Sequence, residues 1–209
     1  ADTGKILWER HDFAIDYRDV GPASSPVLYR DLLILTCDGQ LTSEQYVVAL
    51  DKKTGATRWK TARTFPPNKK SDHTHSSGVP LVIRVDGRDQ LVSPAAKGVH
   101  AYDPSTGQEL WQAWYKGWSV VPRPVYADGT LVVCSGTVEP QLLALDPRGA
   151  TGTLTEGKGI LWSRTRNVPD MPSPLLVGNR LYTMTATTLS CLEPRTGRDD
   201  TADYGWQYW

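Results

Sequence analysis

Tryptophan recurs along this chain at a nearly constant interval. Trp8, Trp59, Trp111 and Trp162 are separated by 51, 52 and 51 residues. A fixed period of this size is the signature of an architecture built from one repeated supersecondary unit. The letters around two of the tryptophans repeat as well, since VALDKKTGATRW ends at Trp59 and HAYDPSTGQELW ends at Trp111. Any fold for this chain must therefore contain several copies of one unit.

Each unit has the pattern of four short β-strands. A proline after small residues is followed by an apolar run, a polar break and a second apolar run; these prolines are Pro26, Pro80, Pro124 and Pro174. The breaks include Asp86-Gly87, Asp128-Gly129 and Gly178-Asn179, which are pairs that favour tight hairpin turns. A third run ends in a carboxylate, and a fourth contains the Trp. No stretch between the breaks has the period of an amphipathic helix, so the sequence predicts an all-β fold of four-stranded antiparallel blades, a β-propeller.

The link between the third and fourth strands has a motif of its own. The residues that define it are Asp51, Asp103, Asp146, Gly55 and Gly107. Asp accepts hydrogen bonds from turn amides, and Gly in a Thr-Gly pair closes the turn with a positive φ. In the third unit, 16 residues separate Asp146 from Trp162, against 8 in the two units before it. The Gly and Thr content of this insertion predicts an exposed loop.

The phrase A-x-D-x-x-T-G-x-x-x-W, intact from Ala49 to Trp59 and from Ala101 to Trp111, resembles the Trp motif of the quinoprotein-like β-propellers, the PQQ-like repeat family. The resemblance covers nearly the whole chain. It implies that the four periodic tryptophans, Trp8, Trp59, Trp111 and Trp162, dock between neighbouring blades. Members of this family differ widely in function, so the resemblance predicts the fold of the chain but not its activity.

The repeat divides residues 1–209 into the blades of one propeller domain. We expect three complete blades at about residues 22–62, 74–115 and 119–165, a partial blade at 172–198, and the remnant of an outer strand at 1–10. Complete family members have more blades, which implies a segment of a larger propeller. The alternative is a closed four-bladed ring in which residues 1–10 complete the fourth blade. The tail RDDTADYGWQYW, with Trp206 and Trp209, fits no strand of the motif.

Two classes of function follow from the resemblance. One is a noncatalytic scaffold or binding module that takes a protein or a small ligand at its funnel or rim. The other is a fragment of a quinone-dependent alcohol or sugar dehydrogenase, whose cofactors would be PQQ and calcium. Such enzymes carry an adjacent cysteine pair, whereas Cys37, Cys134 and Cys191 are far apart. No set of calcium-ligating oxygens stands on motif positions. We therefore assign no catalytic, cofactor or metal residue and favour the noncatalytic module.

The segment SDHTHSSG contains the most suggestive polar cluster. In an extended segment His73 and His75 would point to the same side, as two ligands of one zinc or copper ion require. A third ligand is not evident in the neighbouring sequence. A solvated loop and a ligand contact at the mouth of the funnel are the alternatives.

The residues before the four prolines should line the central channel, since the first strand of each propeller blade faces it. They are Ser24, Ser25, Ser77, Gly78, Pro122, Arg123, Met171 and Ser173. Arg123 is the charged member, and it either binds an anionic group or pairs with a carboxylate. Trp114 and Trp118 bracket the letters YKG nearby. They form either an apolar surface that captures a carbohydrate or peptide, or part of the packed core.

Charge and hydropathy narrow the choice of partners and of compartment. The formal net charge is zero, so electrostatic attraction to nucleic acid is not a driving force. No apolar run is long enough to span a bilayer, and the first residues lack the pattern of a signal peptide. The family resemblance implies a periplasmic or extracellular bacterial protein whose signal peptide is absent from this sequence. Three scattered cysteines argue against a disulfide framework.

Overall fold

A computed structural model of the chain describes residues 3–13, 24–39, 45–66 and 74–199. The strands in this part of the chain are β1 (Val27–Tyr29), β2 (Leu32–Cys37), β3 (Tyr46–Asp51), β4 (Thr57–Ala62), β5 (Leu81–Val85), β6 (Arg88–Ala95), β7 (Gly98–Tyr102), β8 (Glu109–Trp114), β9 (Val125–Ala127), β10 (Thr130–Cys134), β11 (Leu142–Leu145), β12 (Gly152–Glu156), β13 (Gly159–Arg164), β14 (Leu175–Val177), β15 (Arg180–Met184) and β16 (Leu189–Leu192). The named secondary-structure elements of the described residues are all β-strands, and the prediction of an all-β fold is confirmed.

The strands form blades in chain order. Blade 1 is the sheet β1-β2-β3-β4, blade 2 is β5-β6-β7-β8, blade 3 is β9-β10-β11-β13, and blade 4 is the three-stranded sheet β14-β15-β16. The pairs within each blade are antiparallel. Residues 3–13 belong to no strand. Three four-stranded blades and a partial fourth agree with the predicted propeller architecture.

Tight turns connect the first and second strands of the blades at the predicted polar breaks. Asp86 and Gly87 have φ values of 48° and 80°, and Asp128 and Gly129 have values of 49° and 74°. Two successive positive φ angles define the turn whose twist matches that of the flanking strands. Gly178 opens the corresponding turn of blade 4 with a φ of 56°. These hairpins confirm the strand order inferred from the sequence.

The hydrophobic core lies between the blades. Ile34 and Ala49 of blade 1 pack with Leu91 and Tyr102 of blade 2. The largest cluster joins blades 2 and 3 around the fully buried Trp111. A third cluster joins blades 3 and 4, and a fourth covers the other face of blade 1 with Trp8 and Phe13. Blades 1, 2 and 3 therefore use both faces of their sheets for packing, as stacked repeats do, whereas blade 4 packs through one face.

The insertion in the third unit forms a strand rather than the predicted loop, although most of its residues are exposed, as predicted. Its residues form β12, which pairs in parallel with β8 of blade 2 and also contacts β13 of its own blade. Leu154 of β12 is only 3% exposed and belongs to the core between the two blades. Without β12 the outer edge of β8 would present unpaired backbone groups to solvent. The insertion thus joins blades 2 and 3 into one nine-stranded sheet.

The alternating strand directions divide the loops between two sides of the molecule. The links between second and third strands and the links between blades emerge on one side, here called the connector side. It comprises residues 38–45, 63–80, 96–97, 115–124, 135–141, 165–174 and 185–188, as far as these are described. The first-to-second and third-to-fourth links emerge on the opposite side, here called the turn side.

Candidate functional site

Three of the periodic tryptophans lie on the turn of the following blade. Their indole Nε1 atoms donate hydrogen bonds to backbone carbonyl oxygens, Trp8 to Lys52 at 3.1 Å, Trp59 to Pro104 at 3.2 Å and Trp162 to Pro194 at 2.8 Å. The rings lie against Gly55, Gly107 and Gly197, where an added Cβ would approach ring carbons to 2.6, 2.5 and 2.7 Å. Each ring therefore links one blade to the next.

The carboxylates of these turns bond to their own backbone. Asp51 Oδ1 accepts hydrogen bonds from the amides of Lys53 and Thr54 at 2.9 and 3.0 Å. Asp103 Oδ1 accepts the corresponding bonds from Ser105 and Thr106 at 2.7 and 3.1 Å. The amides of Lys53 and Thr54 hold the pKa of Asp51 below its usual value. Both carboxylates therefore accept hydrogen bonds within their own turns, and their role is to stabilise those turns.

Trp111 departs from this pattern. Its Nε1 donates to Gln90 Oε1 of its own blade at 2.8 Å, and the side chain is fully buried. The turn after Asp146 is lengthened by β12, and Asp146 forms an ion pair with Arg148. Gln112 Nε2 of β8 donates to Thr153 Oγ1 of β12 at 2.8 Å. At this junction, pairing between strands replaces the docking of a Trp on a turn.

A buried ion pair connects blade 1 to blade 2. Arg63, just after β4, donates to Asp38 through Nε at 2.9 Å and through Nη2 at 2.6 Å, and Nη2 also donates to Ser93 Oγ at 2.9 Å. Both charged side chains are almost completely buried. Burial opposes the charge on Arg63, but the adjacent Asp38 carboxylate holds the pKa of the guanidinium above its usual value. The bidentate pair fixes the ends of β2 and β4 relative to each other, and the bond to Ser93 connects them to blade 2.

A second polar group lies beside the ion pair. His100 Nδ1 is 3.1 Å from Glu109 Oε2, which also accepts a hydrogen bond from Thr64 Oγ1 at 3.0 Å. Burial lowers the pKa of His100 although the bond to Glu109 opposes the shift. His100 Nε2 is buried and has no hydrogen-bond partner among the described residues. The Trp114 ring meets the imidazole edge-on with 5.5 Å between ring centroids.

The ion pair and the neighbouring histidine together form a polar junction between blades 1 and 2; its members are Asp38, Arg63, Ser93, His100 and Glu109. This junction was not predicted from the sequence, although the repeat contained a signal. The strand pairing aligns His100 with Val48 of blade 1 and Leu143 of blade 3, and it aligns Tyr102 with Leu50 and Leu145. Blade 2 therefore has polar side chains at two positions where blades 1 and 3 both have apolar ones. Burial raises the pKa of Tyr102 to about 12. Arg63, Asp38, Ser93 and His100 are buried, and Glu109 is partly exposed, so most of this junction lies within the packing of blades 1 and 2.

His75 and Trp118 come together on the connector side. The His75 carbonyl oxygen accepts a hydrogen bond from the Ser119 amide at 2.9 Å. The imidazole Nε2 of His75 is 3.2 Å from Ser77 Oγ, and burial lowers its pKa. Trp118 is half-buried and forms an antiparallel bridge with Val138 of blade 3. His73 lies outside the described residues, as do Trp206 and Trp209.

The segments before the first strands contact one another from blade to blade. Ser24 Oγ donates to the Gly78 carbonyl at 3.2 Å, and the Ser77 amide donates to Val120 O at 2.7 Å. The Arg123 amide donates to Ser173 Oγ at 3.0 Å, and its side chain is exposed. Trp114, in contrast, packs within blade 2 on Gly98, where a Cβ would lie 2.6 Å from its ring.

The described part of the chain contains no group of three or more His, Cys, Asp or Glu side chains close enough together to hold a metal ion. It contains no helix of the length and hydropathy that a bilayer crossing requires.

Solved structures with the same fold include BamB from Moraxella catarrhalis, with a TM-score of 0.56 and 17% identity over 83% of this chain and 49% of that one. The quinohemoprotein alcohol dehydrogenase ADHIIG from Pseudomonas putida HK5 has a TM-score of 0.53 and 14% identity over 83% of this chain and 33% of the enzyme. The computationally designed Ika4 protein has a TM-score of 0.52 and 11% identity over 86% and 95% of the two chains. These likenesses concern the fold alone.

The chain thus spans about half the length of the Moraxella BamB. No curated protein matched the sequence. The family model described as outer membrane protein assembly factor BamB matches residues 1–82 and 43–202. Together these two ranges include nearly the whole sequence and all four periodic tryptophans. The chain therefore belongs to this BamB family of PQQ-like repeat propellers.

Proposed function

We propose that this chain is a noncatalytic interaction module that serves as a scaffold in the assembly of outer membrane proteins, in the periplasm of a bacterium. The match to the BamB family carries the proposal. The geometry supports it, because the motif carboxylates and the docked tryptophans act within the turns and between the blades. The residues left to meet a partner lie in the loops.

The surface that we assign to the partner is on the connector side and consists of Trp118, Arg123 and Val138, here called the connector patch. Val138 is 38% exposed, Trp118 is half-buried and Arg123 is exposed. Trp and Arg are enriched among the residues that dominate binding energy in protein interfaces. The bond from the Ser119 amide to His75 and the bridge to Val138 hold the backbone at Trp118 in place. A preorganised patch loses less entropy on binding.

The composition of the connector patch also suggests what it binds. An aromatic ring beside an aliphatic side chain favours an apolar residue of the partner, and the exposed guanidinium favours a carboxylate. We therefore expect a protein segment that presents both groups, rather than a sugar or a nucleic acid.

Photocrosslinking tests this proposal. The chain, exported to the periplasm of a bacterium with an outer membrane, would carry benzoylphenylalanine in place of Trp118, or in place of Lys53 on the turn side as the control. We expect position 118 to crosslink to a component or a client of outer membrane protein assembly, and position 53 to give no such product. An Arg123→Glu change should weaken the crosslink. Equal crosslinking from both positions would contradict the proposal.

A second function, as part of a quinone-dependent dehydrogenase, is favoured by the fold shared with the alcohol dehydrogenase. Titration of the purified chain with pyrroloquinoline quinone and calcium, followed by absorbance and by calorimetry, separates the two functions. The interaction module predicts no saturable binding of the quinone. Saturable, calcium-dependent binding would favour the dehydrogenase.

A further inference from the structure

Seven residues other than glycine have a left-handed backbone in the described part of the chain. They are Arg30, Asp86, Lys97, Ser119, Asp128, Glu139 and Asn167, with φ between 48° and 68°. Such a backbone is unfavourable for an L-amino acid, because its Cβ approaches the following carbonyl oxygen. Residues of this kind persist where the surrounding structure imposes the conformation, and they concentrate at functional sites. The seven residues therefore help to locate surfaces with a function beyond the fold.

Five of the seven are accounted for within the fold. Aspartate and asparagine tolerate the left-handed conformation best, and these residues are Asp86, Asp128 and Asn167. Arg30 lies in the hairpin between β1 and β2, and its guanidinium Nη2 is 3.6 Å from Asp89 Oδ2. Lys97 lies in the turn between β6 and β7, and its Nζ donates a hydrogen bond to the Lys116 carbonyl oxygen at 2.6 Å. The two long side chains thus have partners inside the protein.

The remaining two residues each follow a member of the connector patch directly. Ser119 follows Trp118, and Glu139 follows Val138. Among the seven, Glu139 alone stands before a proline, Pro140. A residue before proline prefers an extended backbone with φ of about −120°, so the φ of 52° at Glu139 is disfavoured for two reasons. The most strained backbone of the set is therefore next to the surface that we assign to the partner.

Contacts with the neighbouring loop hold the backbone of Glu139 in this conformation. Its carbonyl oxygen accepts a hydrogen bond from Ser135 Oγ at 3.2 Å. Val138 is bridged to Trp118, and at Gly136 an added Cβ would lie 2.6 Å from the Trp118 carbonyl oxygen. The two loops are closely packed, so the position of Glu139 is fixed before any partner binds.

The carboxylate of Glu139, in contrast, has no partner among the residues that the structure describes. The side chain is exposed, and the hydrogen bond that Glu139 does form uses its backbone carbonyl oxygen. Glycine would adopt the same backbone at no steric cost, so the fold does not need a glutamate here. A long charged side chain, fixed on a strained backbone beside the connector patch, indicates a contact outside the chain.

We propose that Glu139 is part of the partner-binding surface and pairs with a lysine or arginine of the partner protein. This inference rests on the proposed function, because it specifies the partner of the same surface. Together with Arg123, Glu139 gives the surface one charge of each sign beside the apolar side chains of Trp118 and Val138. Complementary charges of this kind determine which partner binds, and in which orientation, more than they determine affinity. The partner segment must then present a cation and a carboxylate next to its apolar residue.

Photocrosslinking from position 118 tests the charge pair. Glu139→Gln removes the charge and keeps the shape, and it should lower the yield of the position 118 product about threefold. Glu139→Lys places like charges opposite each other and should lower the yield about tenfold or more. Glu156, an exposed glutamate of β12, is the matched control. Glu156→Gln and Glu156→Lys should therefore leave the yield unchanged.

Urea unfolding separates a role of Glu139 in binding from a role in the fold. Glu139→Gly relieves the strain of the left-handed backbone, so the unfolding midpoint should rise while the crosslink weakens. Asp128→Gly makes the same change at a left-handed residue on the turn side, where φ is 49°. This control should leave the yield of the position 118 product as it is in the unchanged background.

The outcomes distinguish this proposal from the proposed function. If position 118 gives its product and neither Glu139→Gln nor Glu139→Lys changes the yield, the charge pair is overturned and the proposed function stands. A higher yield in Glu139→Lys would also overturn the pair, because the partner would then present a carboxylate at this point. A lower urea midpoint in Glu139→Gly would overturn it by showing that the carboxylate serves the fold. The absence of any product from position 118 would overturn both proposals.

Discussion

Glycine and tryptophan act as a pair in this repeat. Gly107 has a φ of 74°, and the ring of Trp59 occupies the space in which a Cβ would stand. The residue is thus constrained twice, by its backbone conformation and by the neighbouring blade. Gly87, with a φ of 80°, meets only the first constraint, because nothing lies within 4 Å of its Cβ position. Comparing the two glycines separates local strain from docking between blades.

We predict that Gly107→Ala destabilises the chain more than Gly87→Ala. The left-handed backbone should cost each variant about 1–2 kcal/mol. Displacement of the Trp59 ring should add about 1–3 kcal/mol in Gly107→Ala alone. The free energy of unfolding in urea measures both costs. Equal losses of stability in the two variants would show that Trp59 moves aside freely and that its docking contributes little.

The buried pair of His100 and Glu109 makes stability depend on pH. Burial lowers the folded-state pKa of His100 below its unfolded value of 6.5, so the unfolded chain binds more protons below that pH. Glu109, which the imidazole bond helps to keep ionised despite burial, also has a lowered pKa and loses its contribution as the pH falls further. Both groups therefore predict lower stability in acid.

We predict that the free energy of unfolding falls between pH 7.5 and pH 5, and that His100→Val reduces this fall. Valine is the residue at the equivalent position of blade 1, Val48, so the variant fits the repeat. Part of the dependence should remain, since His75 is also buried, and burial lowers its pKa. The measurement is urea unfolding at several pH values. An unchanged pH dependence in His100→Val would exclude His100 as its source.

Among the strands and turns, the sequence predicted contacts between residues that are close together in the chain and did not predict contacts between residues that are far apart in it. Hairpin turns such as Asp86-Gly87 follow from the residues that form them. The partner of β12 is β8, which lies about forty residues earlier in the chain, and no local pattern specifies such a pairing. The polar junction was missed for a similar reason, since Arg63 meets Asp38 across the sheet of blade 1 and meets Ser93 only after blades 1 and 2 have packed.

We predict that Leu154→Ala destabilises the chain by about 2–5 kcal/mol, as truncation of a buried leucine does. Leu154 is 3% exposed in the core between blades 2 and 3. Thr151→Ala, one residue before β12 and exposed, is the control and should change stability little. Urea unfolding compares the two. A loss below 1 kcal/mol for Leu154→Ala would mean that β12 is an accessory strand.

Over the whole molecule, the three sheets are not equivalent. Blades 2 and 3 form one nine-stranded sheet through β12, whereas blades 1 and 4 are separate sheets that contact the rest through side chains and loops. In a stacked repeat, stability is the sum of blade and junction contributions, and an end blade has one junction fewer. Blade 4 has three strands and an open apolar face. The stability of the molecule should therefore fall from the centre towards blade 4.

Amide hydrogen exchange measures this gradient directly. We predict the slowest exchange in β7 and β11, which are fully buried interior strands of the nine-stranded sheet, and the fastest exchange of any blade in β14, β15 and β16. Exchange from blade 4 should proceed through local opening at a free energy below that of global unfolding. If blade 4 instead exchanged as slowly as β7 and β11, the four blades would unfold as one cooperative unit. The bridging strand β12 would then not be what sets the central blades apart.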